Sequence, residues 1–340
     1  MEKVRVALIG CGRVASVHAD ALRALDTTEL VACVDIRRER AENFSEMYTD
    51  GKAQVFTDYK EALALDNVDA VQICLPHHLH APVTIDALNA GKHVLTEKPM
   101  AITVEDMDAM IEAAEKNNKT LGVIFQNRYN DSTVAVKEAI DSGKLGKIIG
   151  ARAFVTWKRT DEYYSQSDWK GTWDKEGGGT LIDQAIHTID LMHYLIGMPT
   201  EISASYFTRD HELIDVDDVA EALIRFDNGA KACLYANCYY VYDAPIYLEI
   251  VGEKGRAEIR ADKADIYIGN THTHVEPTIE PTTGKTYWGA SHSRQIANYY
   301  ESLLAGKTPD IDGRKGKVAA AMVLAMYESA RSGETIKFSV

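Results

Sequence analysis

The stretch "VALIGCGRVASVHADAL" near the start of the chain constrains the fold most. A strand-like apolar run ends at Gly10, Gly12 and Ala15 complete a G-x-G-x-x-A spacing, and a helical segment follows. The first glycine permits a tight turn, and the second lets the backbone approach a pyrophosphate. The small third residue lets strand and helix pack closely, with the anion at the helix N-terminus. Such a turn belongs to a parallel sheet covered by helices on both faces, and the next 120 or so residues supply one. "ELVACVD" (29–35), "VDAVQICLP" (68–76), "HVLTEKP" (93–99) and "TLGVIFQNR" (120–128) are short apolar runs separated by segments of helical period, such as 102–118. Asp35 ends the second run. A carboxylate there accepts hydrogen bonds from ribose hydroxyls and repels a 2′-phosphate, which predicts NAD in preference to NADP, although Arg37 and Arg38 stand beside it.

The patterning changes after residue 150. "IIGARAFVTWKR" (148–159) reads as one long strand. Residues 218–240 read as two strands joined at "DNG", and 246–260 as two more joined at "GEKG". A helix is expected over 179–196, with two more near 292–305 and 315–332. The expected architecture is an α/β N-terminal Rossmann domain with a doubly wound parallel sheet over 1–125, then an α+β domain with a large, mostly antiparallel sheet over 126–340. The apolar faces of "ACLYANCYYVY" and "IYLEIVG" need covering, which predicts a homodimer or homotetramer.

Composition removes several classes. The 37 basic and 51 acidic residues give a net charge of −14, which repels nucleic acid and anionic lipid. Five cysteines with no CxxC pair, and an N-terminus that runs directly into a strand, predict reduced thiols, no signal peptide and a cytoplasmic protein. "HHLH" (77–80) and "THTH" (271–274) lack a third ligand at a recognised spacing, so no metal is expected: the first reads as a helix start, the second as exposed.

Two segments carry chemistry. "HVLTEKP" brings Glu97, Lys98 and Pro99 to the carboxyl end of a parallel strand, where α/β sheets bind ligands. "GGGTLIDQAIHTID" (177–190) puts Asp183 and His187 at i and i+4, on one helical face. Together "GCGRVASVHADAL", "LPHHLHAPVTIDALNAGKHVLTEKPM" and "GGGTLIDQAIHTIDL" resemble the glucose–fructose oxidoreductase / inositol dehydrogenase (Gfo/Idh/MocA) family over essentially the whole chain. The resemblance implies that Lys98, Asp183 and His187 form the catalytic group. It implies that Gly10, Gly12, Arg13, Val14, Asp35, Leu75, Pro76, His80, Glu97 and Lys98 match cofactor positions. His77 stands where the family usually has Asn, and it joins Arg37, Asn127 and Trp169 in the expected cofactor set.

On this reading His187 takes the proton of a secondary hydroxyl as its hydride leaves for nicotinamide. Asp183 fixes the imidazole or bonds the substrate, and Lys98 stabilises the alkoxide. The three glycines are expected to let substrate and nicotinamide approach the helix. The aromatic loop "YYSQSDWKGTW" (163–173) offers Tyr163, Lys170 and Trp173 to the substrate, and His292 matches a family position near it. Similar W-x-G-T-W segments occur in family members acting on glycosides and nucleotide sugars, which points to a pyranose, its 3-position favoured. The expected activity is NAD-dependent oxidation of a ring hydroxyl of a sugar, glycoside or cyclitol. The alternatives are a nucleotide-sugar dehydrogenase, an NAD-dependent glycosidase working through a transient keto-sugar, and a non-catalytic NAD sensor.

Overall fold

The computed structural model describes residues 3–278 and 291–340. They form two compact units, residues 3–126 with 291–317, and residues 127–278 with 318–340. The first unit runs β1 (Val4–Ile9), α1 (Ala15–Ala24), β2 (Thr28–Val34), α2 (Arg38–Thr49), β3 (Gln54–Phe56), α3 (Tyr59–Leu63), β4 (Ala70–Ile73), α4 (His77–Asn89), β5 (His93–Thr96), α5 (Val104–Lys116) and β6 (Leu121–Val123). All six strands are parallel, in the order β3-β2-β1-β4-β5-β6. Strand order reverses between β1 and β4, and such a switch point is where α/β sheets take ligands. Strands β1, β4, β5 and β6 are buried on both faces, as helices on either side of the sheet require. Only β3 escapes the sequence reading, because three residues carry too little pattern.

The second unit runs α6 (Asp131–Asp141), β7 (Ile148–Thr156), α7 (Asp161–Ser165), a π-helical turn (Thr180–Ala185), α8 (Ile186–Ile196), β8 (Pro199–Phe207), β9 (Val219–Phe226), β10 (Lys231–Asn237), β11 (Tyr247–Gly252), β12 (Gly255–Arg260), β13 (Lys263–Ile268) and β14 (Thr271–Val275). The chain closes with α9 (His292–Leu304), α10 (Gly313–Ser332) and β15 (Ile336–Lys337). The larger sheet has the order β14-β13-β12-β11-β7-β10-β9-β8-β15, and every pairing but β7–β10 is antiparallel. Both expected hairpins form, at residues 227–230 and at 253–254. The central strands alternate: Ala153, Leu234, Leu248, Ile259 and Ala264 lie in one cross-strand row and are buried, with α6 and α8 packed against the sheet. The opposite face leaves Ile149, Phe154 and Leu223 exposed, Leu223 to 65%.

Two findings modify the sequence reading. The segment 292–317 folds with the nucleotide-binding half rather than with 126–278. Ile296, Tyr299 and Tyr300 of α9 are fully buried and complete the core around Val4, Val6, Leu95 and Ile124. Burying side chains of that size stabilises by on the order of 2 kcal/mol each. The helix expected over 179–196 is a π-turn followed by an α-helix, a register change that frequently marks functional sites. No helix among the described residues is long and apolar enough to cross a membrane.

Candidate active site

In the first unit the glycine turn is built as the spacing requires. Gly10 has φ of 92°, and a Cβ there would fall 2.3 Å from the Cys74 carbonyl oxygen, so only glycine fits. A Cβ at Gly12 would meet nothing within 4 Å, which leaves its open side to a ligand. Val14 caps α1 with no side-chain hydrogen bond, so the first N–H groups of that helix remain available to an anion. Arg13 beside it is exposed. Asp35 follows β2, its Oδ2 accepting the Cys11 N–H (3.0 Å) and its Oδ1 the Arg37 N–H (2.8 Å). The turn itself therefore orients the carboxylate expected to meet the ribose. Arg38 is engaged elsewhere, with Glu42 at 2.8 Å. The cradle fits a dinucleotide.

Leu75 and Pro76 lead into α4, which begins at His77. Both His77 and His80 are buried. His80 faces the Pro99 carbonyl with Nδ1 (2.7 Å) and the Leu75 carbonyl with Nε2 (2.8 Å), tying the strand-four turn to the cis Lys98–Pro99 peptide. Glu97 is buried beside it. Its Oε1 lies 2.9 Å from His18 Nε2 and 3.4 Å from His292 Nε2, and its Oε2 accepts the Lys98 N–H (3.1 Å). His18 Nδ1 reaches Gln72 Oε1 (2.7 Å), and Gln72 Nε2 donates to Tyr300 OH (3.0 Å). Burial alone would raise the Glu97 carboxyl, but the hydrogen bonds and charges of His18 and His292 hold it well below the usual range. Burial likewise favours a neutral His18, and its neighbours Cys74 and Glu97 reverse this and hold the imidazole protonated. Both its nitrogens then donate, as the geometry of Gln72 and Glu97 asks.

In the second unit the three glycines lead into the π-turn. A Cβ at Gly178 would fall 2.1 Å from Tyr327 OH, and one at Gly179 would fall 2.0 Å from the Asp217 carbonyl oxygen. The body that comes close to these glycines is the chain itself. Asp217 Oδ1 accepts from the Gly179 N–H (2.7 Å) and Tyr327 OH (2.7 Å), and Oδ2 from the Leu181 N–H (2.9 Å). Asp217 thus caps the π-turn from the loop that precedes β9, satisfying N–H groups that a helix start leaves unpaired. Burial pushes its carboxyl up to about 6 against those hydrogen bonds.

From residue 177 to 192 every residue is buried except two, Asp183 and His187. Asp183 Oδ2 accepts from Tyr163 OH (2.8 Å) and Gln184 Nε2 (3.0 Å), and lies 3.3 Å from Lys170 Nζ. Lys170 also bonds Tyr163 OH and lies 3.9 Å over the Tyr163 ring, with Trp169 at 5.1 Å. Burial and the Asp183 charge hold the Tyr163 phenol well above its usual range, so it donates. Glu176, fully buried, is pushed well above the carboxylate range by burial and then by Asp183. Trp173 packs in an aromatic cluster, 5.0 Å from Tyr327 and 5.6 Å from Tyr206, its indole N–H on the Asp215 carbonyl (2.7 Å). Asn127 is buried, and its amide oxygen has no hydrogen-bond partner among the described residues, an acceptor left for a ligand.

Residues 4–125 match the model of the oxidoreductase family with an NAD-binding Rossmann fold, GFO_IDH_MocA, and residues 133–258 match the GFO/IDH/MocA C-terminal domain. The chain belongs to the Gfo/Idh/MocA family. It is an oxidoreductase with an NAD-binding Rossmann domain. Among its relatives, myo-inositol 2-dehydrogenase of Thermotoga maritima is 27% identical over 348 residues, covering 98% of each chain. D-glucoside 3-dehydrogenase of Escherichia coli is 29% identical over 357 residues, covering 98% of this chain and 97% of the other. The structure of the WlbA dehydrogenase from Bordetella pertussis, in complex with NADH and UDP-GlcNAcA, superposes with a TM-score of 0.86 at 30% identity over the whole of both chains.

Within this Gfo/Idh/MocA chain, the structure brings Tyr163, Lys170 and Asp183 into one hydrogen-bonded group. His292, the first residue of α9, is buried against Glu97. Asp217, Tyr327, Glu176, His18 and Gln72 escaped the sequence reading. The one sequence signal for Asp217 is the doubled acid of "DVDDVAEA", two carboxylates opening an apolar strand. Both are fully buried, Asp218 accepting the backbone N–H groups of residues 209–211.

Proposed function

We propose that the chain oxidises a ring secondary hydroxyl of a sugar, glycoside or cyclitol, reversibly, with NAD in preference to NADP. The observation that carries the reading is the exposure pattern of 177–192: a fully buried segment keeps only Asp183 and His187 at its surface. A purely structural Asp–His pair would be buried with its neighbours. NAD, its pyrophosphate held at the glycine turn, would supply the hydride acceptor through its nicotinamide. His187 takes the hydroxyl proton, since a neutral imidazole is a base near pH 7. Asp183, its charge balanced by Lys170, serves as a fixed acceptor that orients the substrate hydroxyl. Lys98 stabilises the developing alkoxide. Tyr163 and Lys170 hold Asp183 and line the sugar's approach. Asp35, oriented by the turn's own N–H groups, supports the preference for NAD.

The names of the relatives, dehydrogenases of inositol and of glucosides, support this substrate class. A nucleotide sugar is the second reading, favoured by the WlbA structure with UDP-GlcNAcA. The exposed apolar residues on the open sheet face, Ile149, Phe154 and Leu223, support a homo-oligomer formed through that face. All five cysteines are free, which supports a reducing, cytoplasmic setting.

The test is NADH formation with a panel of pyranosides, inositols and UDP-sugars, wild type against His187→Ala and Lys98→Ala. The expected losses are about 10²–10⁴-fold for the base and about 10²–10³-fold for the electrostatic stabiliser. Release of aglycone from an aryl glycoside without net NADH would instead identify a glycosidase. Near wild-type turnover by His187→Ala would place the base elsewhere.

A further inference from the structure

The hairpin β13–β14 carries a cluster that the redox chemistry does not use. β14 is the last strand at one edge of the larger sheet. Its residues His272 and His274 are two apart, so both side chains leave the same face. Register places Asp265 of β13 directly opposite His274, and Tyr267 opposite His272. Ile266, between them on β13, and Ala264, just before Asp265, are buried on the other face. Asp265 Oδ1 lies 2.7 Å from His272 Nε2 and 2.7 Å from His274 Nδ1, and the three atoms lie within 4.8 Å of one another.

The surroundings of the rings matter more than the convergence. His274 presents its second nitrogen, Nε2, to Glu276 Oε1 at 3.0 Å. Both nitrogens of one imidazole therefore face carboxylate oxygens. A neutral ring has one N–H and one lone pair. If Nε2–H donates to Glu276, the Nδ1 lone pair points at Asp265 Oδ1, and a cation must stand between them, either a second proton or a metal ion. An imidazole that binds metal through one nitrogen and donates the other N–H to a carboxylate is the usual arrangement around transition metals. His272 is also fixed, its ring stacked on Tyr267 at 4.5 Å and 6°. Lys263 Nζ sits on Glu276 Oε1 (2.9 Å), and the Arg256 guanidinium lies 3.9 Å over Tyr267.

We propose that His272 Nε2, His274 Nδ1 and Asp265 Oδ1 bind one divalent transition-metal ion of the zinc class, with Glu276 orienting His274. Two imidazoles and one carboxylate suit Zn²⁺, and water completes the coordination. Each imidazole nitrogen needs to move only from 2.7 Å from Asp265 Oδ1 to the roughly 3.3 Å that metal–ligand bonds of about 2.0–2.1 Å imply, which exposed side chains accommodate. The ion clips the edge strand to its neighbour, protecting an edge whose free N–H and C=O groups invite pairing. The site is separate from the redox centre proposed above and stands or falls without it.

The test is calorimetric titration of the full-length protein with ZnCl₂ at about pH 8, above the imidazole range, in a Cys233→Ser background that removes the exposed thiol. One equivalent of Zn²⁺ is expected to bind. The double variant His272→Ala/His274→Ala should bind one equivalent fewer, and Glu276→Gln should weaken the site by about 10-fold or more. Zinc should raise the melting temperature of the parent and not that of the double variant, because a ligand that binds only the folded state stabilises it. Equal stoichiometry and affinity in parent and double variant, or no zinc heat in the parent, would overturn the proposal and leave an imidazolium between the two carboxylates.

Discussion

Two His–carboxylate–His clusters in this chain share their donors and differ in everything around them. His18, Glu97 and His292 are buried to within a few per cent, while His272 and His274 on the edge strand β14 and Asp265 on its neighbour β13 are open to solvent. In the interior no water compensates a charge, so Glu97 is held ionised by the imidazoles of His18 and His292 that face it. The hydrogen-bonded chain continues from His18 to Gln72 and Tyr300. On the edge strand water screens the same pair of imidazoles, and ions exchange freely. Burial thus turns one cluster into a fixed brace behind Lys98 and leaves the other open to a ligand.

The comparison breaks first at Glu97. Removing one partner of a buried pair leaves an uncompensated charge, so Glu97→Ala should cost about 3–5 kcal/mol of stability, read by urea denaturation. A loss under about 1 kcal/mol would mean that His18 is neutral in the folded protein and that the brace is ordinary packing. The capping carboxylate of Asp217 is another buried acid, with backbone and hydroxyl donors instead of imidazoles. Asp217→Asn leaves one of those donors unpaired and should cost about 1–3 kcal/mol above pH 6.

The pH dependence sharpens the contrast between these two acids. The folded-state carboxyl of Asp217 sits at about 6, above its unfolded value of 3.8. The folded state therefore binds the proton more tightly, and the Asp217 contribution to stability falls as pH rises from about 4 to about 6. Glu97 has the opposite sign: it is depressed, so its contribution is present above its unfolded value of 4.5 and is lost as pH falls through its folded value. His18 is raised, so its contribution is full below 6.5 and is lost as pH rises through its folded value. Denaturation midpoints against pH, wild type minus His18→Asn, should give a plateau between about 4.5 and 6.5 that declines on the alkaline side. A difference independent of pH would remove the ion pair from the account.

The smallest effect belongs to the edge strand. Without added metal, His272→Ala/His274→Ala should not move the denaturation midpoint measurably, because exposed ion pairs contribute little. A clear loss in metal-free buffer would mean that the exposed cluster behaves as the buried one does.

How much of this was readable beforehand follows from distance along the chain. The glycine turn, Asp35, the hairpins and the Glu97–Lys98–Pro99 and Asp183–His187 segments are local patterns. Each is dictated by spacing within a strand, a turn or a helix, and the structure forms those elements where the sequence placed them. The π-turn was not readable, because its residues keep a helical apolar pattern and only its hydrogen bonding differs. The glycines of 177–179 were legible as a demand for close approach, while what approaches was not. Tyr327 and Asp217 lie far along the chain and meet Gly178 and Gly179 only once α10 and β9 have folded.

The sequence by itself determined a dinucleotide-binding half, an antiparallel half and a family, because hydrophobic period, turn chemistry and short motifs act within a few residues. Only the tertiary structure decided which charges are buried together. His18 meets Glu97 across 79 positions, Asp217 meets Leu181 across 36, and Asp265 faces His274 through strand register. Charge pairing in a folded chain depends on which surfaces lose their water, and that is fixed by packing between elements rather than by the order of residues within them.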